Sequence, residues 1–183
     1  MNEITLKASK QVRGCMKLPG SKSITNRVLL MAALGRGVTK VIDPLRSEDT
    51  DQMINALIKL GVSVKELNDD KNIIEIKGIE HNFPNKNTNL FLGNSGTTFR
   101  PLTAVLAMMR GDYYLSGIER MNERPIKDLV DALEQIGSNI QYKKNHGYPP
   151  IAMNNSSIES LEPIQIKGDI SSQYLTALLI AGP

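Results

Sequence analysis

What most constrains the fold of this sequence is that it repeats itself. "GSKSITNRVLLMAAL" begins at Gly20, "GNSGTTFRPLTAVLA" at Gly93 and "GDISSQYLTALLIA" at Gly168, 73 and 75 positions apart. A second pair keeps nearly the same step. "DTDQMINALIKLGVSV" from Asp49 and "PIKDLVDALEQIGSNI" from Pro125 match Ala56, Leu57 and Gly61 to Ala132, Leu133 and Gly137. A period of about 75 residues means that one supersecondary unit has been copied, and that copies unable to bury their apolar faces alone must share a core.

Within a copy, a short apolar lead such as "LFL" (Leu90–Leu92) or "IQI" (Ile164–Ile166) reads as a strand ending at a glycine. A hydroxyl-rich turn follows, then a helix whose apolar residues fall at helical spacing, as Leu29, Leu30, Ala33 and Leu34 do. "VTKVI" and "YYLSG" read as second strands. The amphipathic "ALIKLG" reads as a second helix with Gly61 at its C-terminal cap. "VSVKEL" and "NIIEIKG" around "NDDK", and "SNIQYK" and "PPIAM" around "NHGY", read as hairpins. The unit is therefore strand, helix, strand, helix, strand, strand, present about two and a half times. The third copy reaches only its first helix, and roughly fifty further residues would complete it at this period, so the chain is expected to be a fragment.

A length of 183 residues suffices for one domain, and 40% hydrophobic content is ordinary for a globular core. Against 19 Asp+Glu stand 22 Lys+Arg, a net charge of +3. With no Lys/Arg run and only 4% aromatics, that surplus suits small anionic ligands rather than a nucleic-acid tract. Cys15 is the single cysteine, which excludes an internal disulfide and leaves no metal-site spacing. The start "MNEITLKASK" lacks the apolar core of a signal peptide, and no apolar stretch reaches the roughly 18 residues that span a bilayer. The expectation is a cytosolic soluble protein without membrane or nucleic-acid partners.

All three junctions set Gly, Ser, Thr or Asn at a helix start, where the first N–H groups have no intrahelical partner and the dipole favours negative charge. Such ends hold phosphate, but hydroxyl residues also cap helices that bind nothing. The first junction adds Lys22 and Arg27, and the second is a compact "GNSGTT" whose Gly93 and Gly96 admit close approach to the backbone. The dipole opposes Lys22 in a first turn, which favours a bound anion over mere surface solubility. Arg27 reads equally as an exposed helix residue, and its repeat mate Arg100 points to a partly structural role. Arg124, just before Pro125 at a helix start, either pairs with Glu123 or meets a carboxylate or phosphate. No Walker A loop is present, since Ser21 separates Gly20 from Lys22, and no G-x-G-x-x-G follows a strand. His81 and His146 read as surface residues, the methionines as core, and "NNSSIESLEP" (Asn154–Pro163) as a solvated connector.

Taken together and in this order, "LPGSKSITNR", "GNSGTTFRPL", "RMNERPIKDLVDAL" and "GDISSQYLTALL" resemble the 5-enolpyruvylshikimate-3-phosphate synthase (3-phosphoshikimate 1-carboxyvinyltransferase) family, along the whole chain. The resemblance implies the α/β class, as an enolpyruvyl transferase-like inverse α/β barrel domain built from repeated βαβαββ units, within a two-domain enzyme. Residues 19–183 would form most of the first domain, and residues 1–18 a leading strand region shared with the second. The implied reaction transfers the enolpyruvyl group from phosphoenolpyruvate to shikimate 3-phosphate in aromatic amino acid biosynthesis. A hydroxyl adds to the enolpyruvyl carbon, a tetrahedral intermediate forms and phosphate leaves, with no metal or organic cofactor. The implied partners are these two small molecules, for a monomeric cytoplasmic enzyme.

By motif match, the resemblance assigns Lys22, Ser23, Arg27, Ser171, Ser172 and Gln173 to shikimate 3-phosphate. It assigns Lys22, Asn94, Gly96, Arg124 and Gln173 to phosphoenolpyruvate, with Lys22 the catalytic residue. Gly96 and Pro101 match positions that shape the pocket for the inhibitor glyphosate, which implies a sensitive enzyme. The family's catalytic carboxylates lie in its second domain, and Asp49, Asp51 and Glu123 match none of its motifs. The chain is accordingly expected to be inactive alone. One alternative is a fragment that only binds ligand. The related transferase acting on UDP-N-acetylglucosamine is disfavoured, because its reactive-cysteine loop has no counterpart here: Cys15 precedes the first junction.

Overall fold

The computed structural model describes residues 3–182 apart from 6, 9, 12, 17, 68–71, 155–162 and 168–170. The "NDDK" turn, Gly168 and most of the "NNSSIESLEP" connector therefore lie outside the described residues. Helices α1 (Lys22–Leu34), α3 (Gly96–Ala107) and α5 (Ser172–Ala181) open the helical part of the three copies, and α2 (Glu48–Lys59) and α4 (Lys127–Glu134) are the second helices of the first two. None of the described residues before Lys22 lies in a helix or strand.

Local sequence explains each helix. Ser21 caps α1 by accepting the Ile24 N–H, and Leu29, Leu30 and Ala33 form its fully buried face. Helix α2 starts at a reciprocal capping box between Ser47 and Thr50. It carries Glu48, Asp49 and Asp51 in its first turn and Lys59 in its last, matching the dipole at both ends. Its apolar stripe, Met53, Ile54, Ala56 and Leu57, is buried, as is the equivalent stripe of α4, Leu129, Val130, Ala132 and Leu133. The chain leaves both helices through the glycines expected from the repeat: Gly61 and Gly137 each have φ +90°, a conformation strained for a residue with Cβ. Helix α3 differs, being buried all round except at Thr97, so it is the axis of the core. It packs most extensively on α5, and also touches α1, α2 and α4.

The strands repeat as the helices do. Strands β1 (Val38–Ile42), β2 (Ser63–Glu66) and β3 (Ile73–Lys77) form an antiparallel sheet in the order β1-β3-β2. Strands β4 (Asn87–Phe91), β5 (Asp112–Ser116), β6 (Ile140–Tyr142) and β7 (Ile151–Met153) form a second sheet, β4-β5-β7-β6. Its β5-β7-β6 part reproduces β1-β3-β2, with Tyr114 facing Ala152 and Gln141 facing the same Ala152. Strand β4 pairs in parallel with β5, Leu90 opposite Leu115, the two joined across α3.

The expected "IQI" strand does not form among the described residues. Ile164 to Ile166 lie outside any strand among the described residues. The Gln135 side chain takes the place of a neighbouring strand: its Oε1 accepts the Gln165 N–H at 2.9 Å and its Nε2 donates to the Gln165 carbonyl at 2.8 Å. Ile164 and Ile166 pack on the core from this side-chain-paired segment.

Candidate anion site at three helix starts

The first helix start is tied to the second by buried hydroxyls and one amide. Asn26, fully buried on the Leu29/Leu30 side of α1, donates through Nδ2 to Thr97 Oγ1 at 2.8 Å and to Thr98 Oγ1 at 3.2 Å. Thr98 Oγ1 donates in turn to the Asp49 carbonyl at 3.1 Å and receives Ser95 Oγ at 2.8 Å. On α1, Thr25 Oγ1 accepts the Leu45 N–H at 3.1 Å. Buried polar groups need such partners, and these bonds fix the two helix starts relative to one another. Lys22, in the first turn of α1, places Nζ 2.6 Å from Asp49 Oδ2.

At the second start, Arg124 donates through Nη1 to the Asn94 carbonyl at 2.8 Å. The short 3-10 helix Glu119–Glu123 delivers it there. Glu123 is paired with Arg120 instead, so of the two partners open to Arg124 from sequence the neighbouring glutamate is not used. Gly96 explains why this corner carries no side chain, since a Cβ there would sit 2.5 Å from Arg124 Nη2 and 3.1 Å from Arg100 Nη1. Its smallness makes room for two guanidinium groups. Arg100 is only 8% exposed. It donates to Gln173 Oε1 and, at 3.3 Å, to the Pro125 carbonyl, and it stands 5.2 Å from the centre of the Tyr174 ring. Burial holds its pKa below the ordinary arginine value, and the Arg124 charge pushes the same way while Tyr174 opposes. Tyr174 donates from its hydroxyl to the same Pro125 carbonyl at 2.6 Å.

At the third start, Ser171 caps α5 by accepting the Gln173 N–H at 3.3 Å. Ser172 and Gln173 then meet residues of the other two copies. A cavity of about 140 Å³ is lined by Ser23 and Arg27 of the first copy, Thr97 and Pro101 of the second, and Ser172, Gln173 and Thr176 of the third. With its Oε1 taken by Arg100, Gln173 keeps its amide N–H groups for a ligand. Pro101 also cannot donate to the Thr97 carbonyl four residues back, which leaves another polar group at this wall.

The sequence-predicted residues thus fall into two neighbouring groups. Ser23, Arg27, Ser172 and Gln173 share the cavity, while Asn94, Gly96 and Arg124 form a cluster beside it. Lys22 is turned to Asp49 and does not line the cavity, and Ser171 serves as cap. Among the described residues, Arg27, Arg100 and Arg124 have no carboxylate partner within ion-pair distance. Three such cations around helix N-termini attract anions. A larger cavity of about 740 Å³, farther along α1, α3 and α5, is walled mainly by apolar side chains such as Met31, Leu34, Val105, Met108, Leu179 and Ile180, and Arg27, Glu80, His81, Asn82 and Thr176 also reach it. The described residues hold no group of three or more His, Cys, Asp or Glu that could bind a metal, and no helix long and apolar enough to cross a membrane.

Asn26, Thr97 and Asp49 were not singled out from sequence. Asn26 had a usable signal: it shares a helical face with Leu29, Leu30 and Ala33, so a polar side chain there must find buried partners. Asp49 had none, because an acid in a helix's first turn is ordinary.

The model of the EPSP synthase (3-phosphoshikimate 1-carboxyvinyltransferase) family matches residues 6–183. The chain is 51% identical over 183 residues to the 3-phosphoshikimate 1-carboxyvinyltransferase of Ralstonia pickettii (strain 12J), matching all of the chain and 42% of that protein. To the protein of the same name from Bordetella pertussis (strain Tohama I) it is 53% identical over 180 residues, 98% of the chain and 40% of the relative. The chain therefore spans about 40% of the length of the curated relatives it matches. Among solved structures, EPSP synthase from Acinetobacter baumannii aligns with TM-score 0.80 and 26% identity, over 92% of this chain and 38% of that one. The enolpyruvyl transferase NikO from Streptomyces tendae aligns with TM-score 0.53 and 12% identity, over 90% of this chain and 36% of that one, a likeness of fold.

Proposed function

Because the chain belongs to the EPSP synthase family, we propose that it supplies one half of an active site that transfers the enolpyruvyl group of phosphoenolpyruvate to shikimate 3-phosphate and releases phosphate. The observation that carries this reading is the convergence of three copies of one helix start on a single small cavity, with Arg27 in its lining and without a carboxylate partner among the described residues. Shikimate 3-phosphate takes the cavity, its phosphate meeting Ser172, Ser23 and the α5 start capped by Ser171, and its remaining oxygens meeting Arg27 and Gln173. Phosphoenolpyruvate takes the cluster beside it, where Arg124, Asn94 and the backbone at Gly96 supply donors to its anionic groups.

In this reading Lys22, on the first turn of α1, serves the seam between the two ligands. There its ammonium balances charge as the hydroxyl adds to the enolpyruvyl carbon and as phosphate departs from the tetrahedral intermediate. Among the described residues Asp49 is the carboxylate paired with Lys22; in this reading the proton-transferring groups belong to the part of the relatives that this chain does not span, and the chain alone catalyses nothing. We take the enzyme to be a cytoplasmic monomer, with residues 1–18 a leading strand region shared with a second domain.

Isothermal titration of the chain with shikimate 3-phosphate, run beside a phosphate-release assay, tests the reading. Saturable binding that weakens about tenfold or more in Arg27→Ala, the equivalent of losing one charge-assisted contact, with no phosphate release by the chain alone, is the expected result. Turnover by the chain alone would refute the half-site claim, and failure to bind shikimate 3-phosphate would refute the site.

A further inference from the structure

Lys22 is the one cation at the three helix starts with a carboxylate partner among the described residues, Asp49 Oδ2 at 2.6 Å. Asp49 is the fixed member of that pair. Its side chain is 19% exposed against 48% for Lys22. Its helix is anchored by the Ser47–Thr50 capping box, and its own carbonyl is held by Thr98 Oγ1 of the second helix start. Lys22 is the adaptable member, a flexible stem with many rotamers available and a strongly hydrated head. An anion arriving beside α1 therefore meets a lysine whose charge is already engaged.

We propose that Asp49 is the resident counter-ion of Lys22, holding the ammonium at the seam between the first and second helix starts until an arriving phosphorylated ligand competes for it. This rests on the site reading above and deepens it by giving a role to a residue outside the recognised motifs. Asp49 acts through Lys22, so it is a positioning residue rather than a catalytic one. Carboxylate and ligand compete for one ammonium, so deleting the carboxylate strengthens binding, opposite in sign to losing a structural contact. The modest strength of a half-exposed ion pair sets the size, about threefold in affinity.

A double-mutant cycle tests the coupling. The 183-residue chain is titrated calorimetrically with shikimate 3-phosphate as wild type, Asp49→Asn, Asp49→Ser, Lys22→Met and the two double variants. Asn and Ser are both accepted at helix starts, so failure of one variant to fold leaves the other. About threefold tighter binding in the Asp49 variants, vanishing in the Lys22→Met background, is the expected result. Equal tightening in both backgrounds would make Asp49 a general repeller of anions, and unchanged or weaker binding would make it a structural residue. Either outcome overturns the proposal while leaving the site reading intact. A wild-type chain that binds no shikimate 3-phosphate overturns both.

Discussion

Arg100 is a guanidinium buried without a carboxylate, kept in place by carbonyl oxygens and a ring face. Such a group is costly to bury; acceptors hold its two Nη groups, while its buried Nε has no hydrogen-bond partner among the described residues. Arg100→Lys keeps the charge but not the fork that reaches Gln173 and the Pro125 carbonyl together. A loss of about 1–3 kcal/mol is expected, read as a lower urea midpoint at unchanged slope. The sequence showed that Arg100 repeats the position of Arg27, but it assigned the partly structural role to Arg27, whereas Arg100 is the buried one of the two. The crowding of Gly96 was not legible in the sequence. The glycine looked like room for a ligand, and what approaches it is Arg124, brought from 28 positions away by the turn through Glu119–Glu123. Contacts made by a long side chain across an irregular turn leave no local pattern.

Among the elements, those with a strong period or a cap were readable. Helices α1, α3 and α5 begin at the hydroxyl-rich junctions, and the Gly61/Gly137 pair marked the ends of α2 and α4 through a shared backbone need. The "IQI" segment misled because an apolar alternation suits any half-buried extended chain, and strand formation depends on a neighbour that local sequence does not name. Here Gln135 is that neighbour. Gln135→Ala is expected to leave the helices unchanged and to make the Gln165 amide exchange at least tenfold faster, as measured by hydrogen exchange in nuclear magnetic resonance. An unchanged rate would mean that Ile164 and Ile166 hold the segment by burial alone.

For the whole molecule, three phenols link stability to alkaline pH. Burial raises the pKa of Tyr113, Tyr142 and Tyr174 above the ordinary phenol value, with Arg100 partly opposing the shift at Tyr174. In the unfolded chain these groups titrate near 10. Their folded values are higher, so the stability they confer is complete below about pH 10 and is lost as pH rises through the folded values. Urea midpoints should accordingly be flat in this respect between about pH 8 and 10 and fall above it, with a shallower fall in Tyr174→Phe.

The Asn26 bridge has a further meaning for how such a chain changes over generations. Units that arise by duplication can at first vary separately, each tolerating its own substitutions. Once the amide nitrogen of one copy is bound to Thr97 and Thr98 of the next, a replacement acceptable in either copy alone becomes harmful unless the other answers it. The duplicated parts of this molecule have become a single heritable unit at that seam, free to diverge along their outer strands but bound to mutate in step where they meet.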